Sequence, residues 1–98
     1  TMIQEAGGSP SFLNYRVGDR VYHHSICSSV NEEVVHGIPS EERVLQEGDI
    51  VKLDVGVRLR GFHADSAITV PVGEIDPEVR RLLEVTHRSL WEGIRAIT

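Results

Sequence analysis

Residues 50–70 read IVKLDVGVRLRGFHADSAITV, and apolar and polar side chains alternate along both halves of this stretch. Alternation with a period of two is typical of a half-buried β-strand. If Arg60 and Gly61 form a turn, the resulting register gathers the apolar side chains of both halves on one face. A slip of one residue would separate them, so the register is strongly specified. The sequence therefore predicts an antiparallel hairpin over residues 51–59 and 62–70.

Two aspartates, Asp54 and Asp65, lie on the opposite face of this predicted hairpin. In the same register Asp54 faces Ala67 and Asp65 faces Gly56, so the two aspartates are diagonal neighbours roughly 7–8 Å apart along the backbone. Two carboxylates at this separation can both reach one divalent ion or a closely spaced pair of ions. The alternative is that they are solvated charges, which are common on an exposed sheet face. The small neighbouring side chains weaken this alternative without excluding it.

A helix is predicted after Gly73. Asp76 is a suitable N-cap, and Pro77 is well placed at the first helical position. A mostly apolar stripe then recurs at helical spacing and comprises Val79, Leu82, Leu83, Thr86, Leu90, Ile94 and Ile97. An antiparallel sheet with this amphipathic helix packed on one face gives an α+β fold.

The composition limits the class of protein. Ninety-eight residues suffice for a single domain, residues 1–98. Fifteen acidic residues against ten Lys and Arg give a net charge of −5, which argues against nucleic-acid and membrane-surface binding. No apolar run is long enough to span a bilayer. The single Cys27 cannot form an internal disulfide, so we expect a reducing, cytoplasmic setting.

Several motifs, in a fixed order, make the chain resemble type I methionine aminopeptidase. They are SICSSVNE at 25–32, VHGIP at 35–39, GDIV at 48–51, LDV at 53–55 and GFHAD at 61–65. The two aspartates in the last two motifs are eleven residues apart, as in the family. The resemblance runs from Pro10 into the predicted helix and covers nearly the whole chain. It implies half of a pita-bread (creatinase/aminopeptidase-like) fold, in which two similar halves enclose a two-metal site.

The resemblance also implies roles for individual residues. Asp54 and Asp65 match two metal ligands, and His36 matches a histidine that assists catalysis by hydrogen-bonding the substrate near the scissile amide. Four residues match positions that line the pocket for the methionine side chain: Phe12, Tyr15, Tyr22 and Cys27. The implied cofactors are divalent ions, Mn²⁺, Co²⁺ or Fe²⁺, two in each complete site. They would activate water for hydrolysis and stabilise the charge that develops on the substrate carbonyl.

Two departures from the family pattern bear on function. Six residues, 16–21, separate Tyr15 from Tyr22, where the family has a shorter connection. The chain also ends where the second half would begin, and that half carries the family's remaining ligands, one histidine and two glutamates. Two aspartates hold a hard ion sparsely, so we expect weak or absent metal binding by this chain alone.

Two functions therefore stay open. In the first, the chain is the N-terminal half of a methionine aminopeptidase, which removes the N-terminal Met of a peptide or nascent protein when a second half completes it. In the second, it is a non-catalytic half pita-bread module, truncated, ancestral or engineered, that folds and self-associates. The expected partner is accordingly a missing C-terminal half or a second copy in a homodimer, and we expect no enzymatic activity from the monomer.

Overall fold

The computed structural model of the chain describes residues 1–97; Thr98, the last residue of the predicted domain, lies outside the described residues. Its elements in chain order are α1 (Met2–Glu5), β1 (Ser9–Pro10), β2 (Arg16–Val17), β3 (Arg20–Val21), β4 (Cys27–Val30), β5 (Ile50–Leu59), β6 (Phe62–Pro71) and α2 (Pro77–Arg95). The mixed α and β architecture confirms the predicted fold class.

Strands β5 and β6 form the predicted hairpin. Val51 lies opposite Val70 and Leu59 lies opposite Phe62, so the register follows the alternation of the sequence over its whole length. The turn residues Arg60 and Gly61 have φ values of 51° and 87°. Two consecutive left-handed residues are typical of the tight turns that match the twist of a hairpin.

Strand β5 is the centre of a four-stranded sheet. It pairs with β6 along one side, and with β4 and β1 along the other. Cys27 of β4 lies opposite Asp54, and Pro10 of β1 lies opposite Val57. We call the side of this sheet that carries Asp54, Gly56 and Asp65 the carboxylate face.

The core of the described chain is small. Its buried hydrophobic residues are Cys27, Val30, Val51 and Ile75, and Val30 lies directly opposite Val51 in the sheet. A chain of this length buries a limited share of its surface, so a thin core is expected.

Helix α2 begins as predicted. Asp76 is the N-cap and its side chain accepts a hydrogen bond from the backbone N–H of Glu78, while Pro77 occupies the first turn. The helix forms a loose layer beside the sheet. Within the described chain none of its residues is buried, and a groove of about 370 Å³ is lined by Leu82, Leu83 and Thr86 together with sheet residues. Among residues 1–97, neither helix combines the length and apolarity that a bilayer crossing requires.

Candidate functional site

Asp54 and Asp65 project from the carboxylate face. Asp54 lies opposite Ala67 and Asp65 lies opposite Gly56, which confirms their predicted diagonal placement on one side of the hairpin. Asp54 is half-buried in the centre of the sheet, whereas Asp65 is exposed on β6. The two carboxylates therefore differ in solvation although they are neighbours.

The electrostatics of Asp54 reflect this placement. Burial raises the pKa of Asp54 above its ordinary value, and the neighbouring Asp65 carboxylate raises it further. The His36 imidazole opposes this rise through its charge. Oδ1 of Asp54 is buried and has no hydrogen-bond partner among residues 1–97. A buried carboxylate oxygen without a partner costs free energy, and a bound cation would remove that cost.

The donor set fits a divalent ion. Asp54 and Asp65 offer hard carboxylate oxygens, which Mn²⁺ and related ions accept. Within the part of the chain that the structure describes, no group of three or more His, Cys, Asp or Glu side chains gathers to hold a metal. The chain thus offers two neighbouring carboxylates and leaves most of a metal's coordination sphere open.

His36 lies in the loop that follows β4, and that loop is tied closely to the strand. Gly37 accepts a hydrogen bond from the Ser28 N–H (3.0 Å), and its own N–H donates to the Ser29 hydroxyl (2.9 Å). A side chain at Gly37 would collide with the backbone of Ser28 and Ser29, so only glycine permits this approach. His36 itself has a φ of 61° and is exposed. The loop therefore places His36 beside β4 at the rim of the sheet.

Tyr22 and Cys27 lie beside Asp54. The Tyr22 hydroxyl donates to the carbonyl of Ile26 (2.9 Å) and lies 3.4 Å from the carbonyl of Gly37. Burial raises the pKa of Tyr22 well above its ordinary value, and Cys27 and then Asp54 add to the rise. Cys27 is buried directly opposite Asp54 in the register.

The six residues between Tyr15 and Tyr22 form a small hairpin of their own. Arg16 pairs with Val21, and Val17 pairs with Arg20. The Tyr22 N–H donates to the Tyr15 carbonyl (2.9 Å) at the base of this hairpin. Most of this hairpin is exposed, and the chain returns at Tyr22 to lie next to Tyr15. Tyr15 is 63% exposed at the outer end of this group.

Phe12 lies on the carboxylate face at Gly56. An ideal Cβ at Gly56 would be only 2.8 Å from Cε1 of the Phe12 ring, so the ring occupies the room that a side chain would take. Gly56 is two residues from Asp54 and lies opposite Asp65. The structure thus brings Phe12, Tyr22, Cys27 and the aspartates to one side of the sheet, and His36 lies in the loop beside β4.

Sequence reasoning missed the contact between Ser11 and His63. The Ser11 Oγ and His63 Nδ1 atoms are 2.9 Å apart, and the two residues are 52 positions apart in the chain. The alternation of β6 places His63 on the same face as Asp65, which is a signal available from the sequence. Nothing in the local pattern around Ser11 indicates that it meets β6.

Comparison with known proteins gives consistent similarities. Residues 2–98 match the sequence family described as metallopeptidase family M24. The chain is 50% identical over 93 residues to methionine aminopeptidase 1 of Bacillus subtilis, covering 95% of this chain and 36% of that protein. It is 46% identical over 97 residues to methionine aminopeptidase 1 of Mycobacterium tuberculosis, covering 99% of this chain and 35% of that protein.

Solved structures show the same similarity. The crystal structure of methionine aminopeptidase from Thermotoga maritima superposes with a TM-score of 0.88 at 40% identity, covering 99% of this chain and 37% of that one. The structure from Rickettsia prowazekii gives a TM-score of 0.83 at 37% identity, covering 94% and 35% of the two chains. The chain therefore has the pita-bread architecture of these proteins over about a third of their length.

Proposed function

The chain belongs to metallopeptidase family M24, and from this premise we propose that residues 1–98 are one domain that supplies half of a methionine aminopeptidase site. Completed by a second half, it would remove the N-terminal Met of a peptide or nascent protein. The observation that carries this proposal is the adjacent pair Asp54 and Asp65, with a buried Asp54 oxygen that lacks a hydrogen-bond partner in the described part of the chain.

The family implies a divalent metal cofactor, and Asp54 and Asp65 are the residues that would hold it here. Mn²⁺, Co²⁺ and Fe²⁺ are the proposed ions, since each accepts hard oxygen ligands. When bound, such an ion supplies a water of lowered pKa and polarises the substrate carbonyl. The raised pKa of Asp54 also supports the assignment, because a cation would neutralise two carboxylates that otherwise repel each other.

The remaining residues have proposed roles toward the substrate. His36, exposed at the rim, would hydrogen-bond the peptide near the amide that is cleaved. Phe12, Tyr15, Tyr22 and Cys27 would line the pocket for the methionine side chain, which suits aromatic walls and a small sulfur group. The Tyr22 hydroxyl is held by the Ile26 carbonyl, so its polar end is satisfied by the backbone.

The second half of the site is proposed to come from a C-terminal half or from a second copy of the chain. A two-fold dimer would bring Asp54 and Asp65 of both copies toward one centre. The proposed setting is the cytoplasm, with neither nucleic acid nor a membrane as partner.

A second candidate function is a non-catalytic module that self-associates. It is favoured by the absence, among the described residues, of any cluster of three metal-binding side chains. The same fold would then serve association without hydrolysis.

Hydrolysis of a Met-Ala peptide, with Mn²⁺ or Co²⁺ at several protein concentrations, distinguishes the two. The peptidase proposal predicts no turnover by the monomer and turnover that rises more than linearly with concentration, or on addition of a separately produced C-terminal half from a relative. The matched control is the double variant Asp54→Asn with Asp65→Asn, which should be inactive throughout. If neither a higher protein concentration nor the added C-terminal half produces turnover, and the fold is intact, the non-catalytic module is the remaining function.

A further inference from the structure

Ser11 and His63 form a bridge across the central strand of the sheet. Ser11 follows β1 on one side of β5, whereas His63 belongs to β6 on the other side. The Ser11 Oγ and His63 Nδ1 atoms are 2.9 Å apart, which is hydrogen-bond distance. The Ser11 N–H also donates to the carbonyl of Gly56 in β5 (2.8 Å). Ser11 is thereby attached to two neighbouring strands at once.

The bridge is possible because residue 56 has no side chain. An ideal Cβ at Gly56 would be 2.9 Å from Cβ of Ser11 and 2.8 Å from the Phe12 ring, and both distances are too short for real Cβ contacts. Ser11 and Phe12 therefore share the space above one glycine. The side chain of Ser11 lies against β5 there and meets the side chain of His63 from β6, and the Phe12 ring lies beside it.

The backbone pairing of this segment with the sheet is short, although Pro10 is buried. Strand β1 has only two residues, Ser9 and Pro10, and proline has no backbone N–H to donate. The Ser11 N–H supplies the next backbone hydrogen bond to β5. Among the described residues, the Ser11 side chain makes the only hydrogen bond from this segment to β6. Ser11 is therefore one of the attachments that determine where the Phe12 ring lies, together with buried Pro10 and the hydrogen bond from the Tyr15 N–H to the Phe12 carbonyl.

We propose that Ser11 and His63 are positioning residues, which keep the Phe12 ring on Gly56 beside the two aspartates. The consequence for the pocket rests on the proposed function: if Phe12 lines the methionine pocket, the bridge sets the position of that wall. Gly56 is then a specificity-determining residue as well, because the absence of a side chain there leaves room for the Phe12 ring.

The test is the nuclear Overhauser effect between the Phe12 ring protons and the Gly56 α-protons, measured on the full chain. Ser11→Ala and His63→Ala each remove the hydrogen bond. The ratio of molecules with the Phe12 ring on Gly56 to molecules with the ring displaced should then fall roughly two- to tenfold. His63→Asn retains a polar group near the position of Nδ1 and should restore much of the effect. Cross-strand signals of the β5–β6 hairpin report whether the fold is intact.

An unchanged nuclear Overhauser effect between Phe12 and Gly56 in Ser11→Ala would overturn the proposal. If His63→Ala does not fold, the Ser11→Ala variant alone is the test. Titration of the wild-type chain, completed by a separately produced C-terminal half of a relative, with L-methioninamide and Mg²⁺ tests the proposed function separately. Shifts of the Phe12 resonances would support the pocket role. Their absence would contradict that role, while the positioning by Ser11 and His63 would still be judged by the variants.

Discussion

Asp54 and Asp49 deviate in opposite directions from the ordinary aspartate pKa of 3.8. Burial and the Asp65 carboxylate raise the pKa of Asp54. The backbone N–H of Gln46 and then the side chain of Asn31 lower the pKa of Asp49, since both donate to its carboxylate. Relative to the unfolded chain, the folded protein binds a proton more tightly at Asp54 and less tightly at Asp49. Their contributions to stability therefore change with pH in opposite directions.

Asp54→Asn is expected to stabilise the metal-free protein at neutral pH. Because the folded-state pKa is raised, the wild-type carboxylate lowers the free energy of unfolding as the pH rises from 3.8 through that raised pKa. The higher unfolding free energy of the variant should thus disappear below pH 3.8. Excess Mn²⁺ should make the wild type the more stable of the two by binding its site. Urea denaturation with a chelator and with Mn²⁺ measures both effects. A wild type and variant with parallel pH profiles would contradict this prediction.

Asp49→Asn is expected to destabilise the protein at neutral pH. The folded-state pKa of Asp49 is lowered, so its contribution is present above 3.8 and is lost as the pH falls through the lower folded value. The difference in unfolding free energy between wild type and variant should therefore shrink in acid. Asp19→Asn, which alters an exposed aspartate between β2 and β3, is the matched control. An equal effect of both substitutions at neutral pH would argue against the Asp49 contacts.

Two glycines in different elements should respond to alanine with opposite signs. Gly61, in the β5–β6 turn, has a φ of 87°, and an L residue there costs about 1–2 kcal/mol. Gly93 lies in α2 with open space around the position of a Cβ, so alanine should stabilise the helix by up to about 1 kcal/mol. Both variants add the same methyl group, and urea denaturation compares their unfolding free energies. Destabilisation by Gly93→Ala would show that the helix is more tightly packed than its exposure indicates.

The elements also differ in how they are stabilised. The β5–β6 hairpin has ten paired positions and a turn that suits its twist. Helix α2 depends more on local features such as the Asp76 cap, since Leu82, Val85 and Leu90 are each more than half exposed. A helix without tertiary packing is marginal in water. Gly93, far from the sheet contacts, should therefore have a measurable effect.

The whole molecule exposes apolar surface on both layers. Phe62 is 81% exposed, Ile68 is 62% exposed and Leu82 is 59% exposed. Together with strand β6 at the edge of the sheet, such surface favours association. The proposed dimer would also bring four aspartates together, which repel unless cations neutralise them.

Self-association should accordingly depend on divalent metal. Light scattering is expected to report a larger species with Mn²⁺ than with a chelator, because bound cations remove the repulsion between carboxylates. The double variant Asp54→Asn with Asp65→Asn should lose this metal dependence and keep its fold. A monomer at every concentration, with and without Mn²⁺, would exclude the homodimer.

Local patterns in the sequence were sufficient to predict the hairpin that carries the two aspartates and the beginning of α2. Alternation along 51–59 and 62–70 determines which side chains share a face, and the Arg60-Gly61 turn determines the register. Asp76 and Pro77 likewise mark the beginning of α2. These features depend on residues close together in the chain, whose preferences do not change with the rest of the fold. The shared face of Asp54 and Asp65 followed from them directly.

Only the tertiary structure decided which residues from distant segments lie on the carboxylate face. The return of Tyr22 to Tyr15 depends on the folding of the β2–β3 hairpin, and the buried Asp54 oxygen depends on what packs around it. The Ser11–His63 bridge joins residues 52 positions apart over Gly56. A periodic pattern records which way a side chain points along its own strand, but it contains no information on which distant segment comes to lie over it. That information exists only once the strands have been brought together.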